Sequence, residues 1–174
     1  MSKIDFREKA RKHFELAQKH YENNDFDAFP AACLELRMAI ECLAYQLLQS
    51  YEDEVDAETL ERWQPGKLID ELKEIDDHVD HDVSLSVGIE ETYGQPAKEM
   101  RHVGTDRRMS ASWAKKSYAA LGNFVHERTM AQIRLGEEAK SDRVIARFRE
   151  INQEIERVLS SNLWALNMRM NIHI

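Results

Sequence analysis

The sequence predicts an all-α fold: a helical bundle of about five main helices, with an acidic helical and irregular insert and a long C-terminal helix. Three observations carry that expectation. Helix breakers are scarce, with three prolines and six glycines in 174 residues. Strand-like β-branched runs are missing, whereas Ala, Leu, Glu, Arg, Lys, Gln and Met abound, the residues that lose least on entering a helix. Apolar residues also recur every three or four positions, the period of one helix face. Hydrophobic residues make up 43% and charged residues 32%. That balance fills a core and clothes it, so one domain over 1–174 is expected, without covalent staples.

The elements follow in order. Residues 4–22 place Phe6, Ala10, Phe14, Ala17 and Tyr21 on one face, and Asn23-Asn24-Asp25 breaks the pattern. A second, longer helix tolerates Pro30 in its first turn and carries Cys33, Leu36, Ile40, Leu43, Ala44, Leu47 and Leu48, so it reads as the core helix. Residues 52–97 are strongly acidic and read as a solvated insert. It holds a short helix opened by Asp56, another over 65–79 bearing Leu68, Leu72 and Ile75, and then irregular chain. Ser110 is placed to cap a helix with Trp113, Ser117, Leu121 and Val125. After a break at Gly136, Ser141 caps a final helix over 141–168 whose stripe runs through Val144, Ile145, Phe148, Ile151, Ile155, Val158, Leu159 and Leu166. Its length suggests that part of the stripe packs on a second subunit, making a homodimer the expected assembly.

Composition also bounds the function. No apolar run approaches the roughly 18 residues of a membrane span, and the first residues have no signal-sequence pattern, so a cytoplasmic protein without membrane contact is expected. Cys33 and Cys42 stand nine apart in one helical pattern and read as buried reduced thiols. The net charge of −8 repels nucleic acid as a whole. Locally, though, the balance reverses: Arg101, Arg107, Arg108, Lys115, Lys116 and Arg128 form a basic stretch suited to phosphate contacts. The alternative is that these cations pair with the acidic insert. The run Asp76-Asp77-His78-Val79-Asp80-His81-Asp82 is dense in donor groups but lacks a fixed four-ligand pattern, so it reads as a solvated acidic loop, and no metal or other cofactor is expected. Trp63, Trp113 and Trp164, with the phenylalanines, are candidate stacking platforms for bases, but each falls on or beside an apolar stripe and reads as a core residue. Nucleophile elbows, phosphate-cradling glycine loops and dinucleotide fingerprints are all missing.

One constellation has chemical promise. Arg37 and Glu41 lie four apart on one helix face, and Asn123 and His126 lie three apart near a helix end. An arginine forks onto an oxyanion and an imidazole moves protons near neutrality, so together the four make a minimal ribonuclease-like set. The competing reading is an intrahelical ion pair between Arg37 and Glu41, with His126 hydrogen-bonded at the helix end.

The opening from His20-Tyr21 to Asp25-Phe26, the segment Leu36-Arg37-Met38-Ala39-Ile40-Glu41 and the ending Gly122-Asn123-x-x-His126 together resemble the HEPN superfamily, the higher eukaryote and prokaryote nucleotide-binding domains. The resemblance covers roughly residues 8–50 and 110–128. It implies a dimerising bundle of four or five helices, of the kind used in defence, toxin-antitoxin or RNA-processing systems. Some relatives are metal-independent endoribonucleases and many are non-catalytic. In the catalytic ones an arginine precedes the histidine by five to seven residues. Here Ala119, Ala120 and Leu121 stand in those places, so the carry-over reaches His126 and Asn123 alone. The expectation is a non-catalytic module binding RNA, a nucleotide or a protein partner. A ribonuclease and a helical scaffold are the alternatives.

Overall fold

The structure is a computed structural model that describes residues 4–23, 28–95, 97–126, 129–136, 142–164 and 166–167. The first helix begins where Asp5 accepts the N–H of Glu8 at 2.8 Å, a side-chain cap for an otherwise orphaned donor. This α1 (Phe6–Glu22) ends at Asn23, whose backbone turns extended. Asn24 and Asp25, the rest of the expected break, lie outside the described residues. α2 (Ala28–Gln49) is apolar nearly all round and is the central helix, as the sequence predicts. Leu36, Ile40, Leu43 and Leu47 are buried along it, and Ala10 and Ala17 let α1 approach closely.

Asp56 caps the short α3 (Ala57–Leu60) as expected, accepting from Thr59 at 2.7 Å. α4 (Pro65–Ile75) starts on a proline that fits the first turn and stops sooner than expected. α4 corrects the reading of 52–97 as solvated. Leu68, Ile69 and Leu72 are fully enclosed among α2 and α5 (Ala111–Val125). Each such side chain contributes on the order of 1.5–3 kcal/mol. The acidic residues of α4 occupy only its outer face.

To the helices the structure adds a two-stranded antiparallel sheet, β1 (Val83–Val87) with β2 (Arg101–Asp106), where irregular chain was expected. Ser110 then opens α5 by accepting from Trp113. A short α6 (Met130–Arg134) follows, and Gly136 takes a positive φ of 68° at the expected break. α7 (Asp142–Leu159) comes last; the expected cap Ser141 lies outside the described residues. Phe148, Ile151, Ile155, Val158 and Leu159 of α7 are buried in this chain's own core, so the stripe offers no argument for a second subunit.

The final helix is also shorter than the expected 141–168. After Leu159 the chain runs beside β2, with Leu163 bridged in parallel to Asp106 and Asn162 accepting from the Thr105 N–H at 3.0 Å. Buried Arg7 ties the other end of the chain to this region. Its guanidinium donates to the carbonyls of Val158 at 2.9 Å and Leu159 at 3.1 Å, where α7 leaves acceptors unfilled. No helix among the described residues is long and apolar enough to cross a membrane.

Candidate functional site

The seam between α2 and α5 gathers the chemistry. Arg37 and Glu41 project toward α5 from successive turns of α2, but they do not form the ion pair that their spacing allows. Glu41 instead accepts a hydrogen bond from the Tyr118 hydroxyl. The Arg37 guanidinium lies over the Tyr118 ring, 4.0 Å from its centroid, a cation–π contact. Among the described residues no carboxylate pairs with Arg37. Burial and the bond to Glu41 push the Tyr118 phenol above its ordinary pKa against the pull of Arg37, so it remains a donor.

Gly122 completes the seat. A β-carbon there would stand 2.5 Å from Nη1 of Arg37, so only a residue without a side chain leaves the guanidinium its place. Glu41 meets Tyr118 and Arg37 meets Gly122, so the two helices run antiparallel across the seam. Positions 118, 122 and 126 are spaced four apart, which puts His126 a little over one turn, roughly 6 Å, beyond Gly122. His126 is the C-cap of α5 and is exposed.

Asn123 goes elsewhere. Consecutive helical residues point about 100° apart, so with Gly122 on the α2 side, Asn123 is exposed and lines a hollow of about 620 Å³ with Phe124, Val144 and Arg147 on the α7 side. The expected fourfold convergence is corrected on this point. Arg37 and Glu41 are brought together through Tyr118, His126 lies further along α5, and Asn123 faces a separate groove. Among the described residues no hydrogen bond or ion pair joins His126 to Arg37, Glu41 or Asn123.

The expected basic stretch is scattered. Arg108 is 5% exposed, paired with Asp106 at 2.9 Å and donating to the Val79 carbonyl at 3.2 Å, so it braces the interior and offers nothing to a ligand. Arg107 donates to Ser160 at 2.7 Å, and Lys115 pairs with Asp70 on α4. Lys116 is exposed on α5, and Arg101 is exposed on β2. Arg128 lies outside the described residues.

The acidic run 76–82 is tied into the fold. Asp76 accepts from Tyr51 at 2.5 Å, and Asp80 accepts from the Ala111 N–H and from Lys73, each at 3.1 Å. Asp82 accepts from the Arg108 N–H at 2.8 Å and pairs with Arg157 at 2.7 Å. Among the described residues no group of three or more His, Cys, Asp or Glu side chains is placed to hold a metal ion.

Sequence reasoning missed Tyr118 and misplaced two tryptophans. Tyr118 was legible only through its spacing, four before Gly122 and eight before His126. Trp63, read from sequence as core, is 55% exposed, and Trp164, read likewise, is 52% exposed against Arg7. No protein-family model, curated protein or solved structure matches the chain.

Proposed function

We propose that this chain is a HEPN-like helical module that binds RNA through the seam between α2 and α5 and does not cleave it. The observation that carries the reading is the state of Arg37: a guanidinium on a half-buried seam, seated on an aromatic ring, with no carboxylate in an ion pair with it among the described residues. A phosphodiester is the natural partner for such a group, which offers five donors in a planar fork. Glu41 is held away by Tyr118, and Gly122 leaves the guanidinium room. The side chain is therefore oriented before binding, and little ordering entropy remains to oppose association.

The test is fluorescence anisotropy with a labelled single-stranded oligoribonucleotide, comparing wild type with Arg37→Ala and Arg37→Lys. The expected result is a loss of about tenfold or more in affinity for Arg37→Ala. Arg37→Lys should recover only part, because an ammonium restores the charge without the fork. Equal affinities for wild type and Arg37→Ala would overturn the reading.

A second reading, the metal-independent ribonuclease, is favoured by one specific contact. The arginine that the resemblance calls for is missing from α5, yet Arg37 brings a guanidinium beside Gly122, four positions before His126. In that reaction His126 would take the proton of a 2′-hydroxyl as its oxygen attacks the adjacent phosphorus. Arg37 would stabilise the added negative charge, and the 5′-oxygen would leave with a proton, giving a 2′,3′-cyclic phosphate. Cleavage in chelator by wild type and not by His126→Ala would establish it. Intact RNA with retained binding leaves the non-catalytic reading in place.

A further inference from the structure

We propose that Trp63 is the platform on which an unpaired base of the RNA stacks, so that the ligand is single-stranded at this point. The inference rests on the RNA-binding reading and reverses the core reading that the sequence favoured for Trp63, which is 55% exposed.

Trp63 lies in the turn between α3 and α4, and that turn is firmly built. Glu61 closes α3 by donating its backbone N–H to Glu58 and Thr59. Arg62 is clamped between Glu58 at 3.1 Å and Glu71 at 2.8 Å, and Pro65 sets the first turn of α4. Gly66 lies directly beneath the Lys115 stem, whose ammonium pairs with Asp70, so the turn is registered against α5. Within this frame the indole meets the Tyr118 ring at a centroid spacing of 6.5 Å and a 55° tilt, and more than half of its residue surface is open.

An indole left in water forgoes stabilisation that burial would bring, and a rigid, half-open ring has already lost the freedom that a ligand would otherwise have to remove. Trp63 and Arg37 both contact Tyr118: the indole, with its open face, tilts against that ring, and the guanidinium is seated on it. Tyr118 is committed on both counts, its ring beneath Arg37 and its hydroxyl to Glu41, so Trp63 is the free face. A nucleotide bound beside Tyr118 puts its base on the indole and its phosphate at the guanidinium. Glu58, Glu61 and Glu71 surround the Trp63 turn and repel phosphate from that end, which gives the ligand a polarity across the seam. Bases in a duplex stack on one another and present no face, so an unpaired strand is selected.

The test measures anisotropy with labelled oligoadenylate RNA and its duplex with oligouridylate, for wild type, Trp63→Ala, Trp63→Phe, Arg37→Ala and Tyr93→Ala. Tyr93 is fully exposed in the loop between the strands and reports nonspecific aromatic contact. Thermal melting checks that each variant folds. The expected result is a tenfold or greater loss for Trp63→Ala, near-complete recovery for Trp63→Phe, no change for Tyr93→Ala, and weaker binding of the duplex by wild type. If Arg37→Ala weakens binding while Trp63→Ala does not, the platform is overturned and the RNA-binding reading stands. An equal loss for Tyr93→Ala also overturns the platform. If wild type binds no RNA, both fall.

Discussion

A β-carbon at position 122 meets the far end of a flexible arginine, not backbone, so the clash is cheap to relieve and the consequence falls on Arg37. Alanine also suits the interior of a helix better than glycine by roughly 1 kcal/mol. Gly122→Ala is therefore expected to melt no lower than wild type while losing about tenfold in oligoribonucleotide affinity, because the guanidinium is pushed off its seat. Melting and anisotropy on one preparation check this, and unchanged affinity would show that the glycine serves helix packing alone. Tyr51 makes a separate prediction. It is 1% exposed, and burial together with its bond to Asp76 pushes the phenol up to about 12. An unfolded chain ionises tyrosine near 10, so the contribution of Tyr51 is intact below pH 10 and is lost as pH rises toward 12. Burial pushes Asp76 up, yet its bonds with Tyr51 and the His78 N–H and the charge of Arg108 hold it below its ordinary value, so its contribution is lost instead in acid. In urea titrations, wild type should lose about 1 kcal/mol more than Tyr51→Phe between pH 9 and 11. Tyr45 and Tyr118 are also shifted up, but both proteins share them and they cancel in the comparison.

Among the elements, several helices were legible through their own punctuation, with Asp56 and Ser110 as caps and Pro65 in a first turn, whereas the short α6 before Gly136 was not foreseen. The strands were not. Val83, Leu85 and Val87 alternate with serines as a half-buried strand should, but the partner strand lies beyond a long acidic loop, with no tight turn to announce the pair. Burial of α4 was hidden for a related reason: its apolar face is only one side of a helix whose other side is charged, and regional charge says nothing about which side meets the core. The same blindness affected Arg108. A cation in a basic run looks like a surface contact, and only the fold reveals Asp106 beside it, 3% exposed. Removing one partner of a buried pair strands the other charge, so Arg108→Ala should destabilise the protein by about 3–5 kcal/mol. It would also release the Leu166 carbonyl, which holds the C-terminal segment along β2. Arg101→Ala, on an exposed strand position, should change stability by no more than about 0.5 kcal/mol. Denaturant midpoints for the two variants distinguish a brace from a surface cation.

At the scale of the molecule, a net charge of −8 sets the character of any RNA complex. Arg107 and Arg108 are engaged by Ser160 and Asp106, and Lys115, Lys73 and Arg157 pair with Asp70, Asp80 and Asp82 of the chain's own acidic stretch. Among the described residues, Arg37 is the cation seated on the seam. A single strand releases about 0.7 counterion per neutralised phosphate, so one contact predicts a slope of roughly −0.7 for log K against log salt concentration. Stacking on Trp63 contributes affinity with almost no salt dependence. The affinity measured between 50 and 300 mM salt should therefore fall only gently, and Trp63→Ala should lower the line without changing its slope. Arg37→Ala should flatten the line by about 0.7. A steep slope near −4 would instead mean that a continuous basic surface carries the ligand, and internal pairs such as Lys115–Asp70 would then have to open when RNA binds.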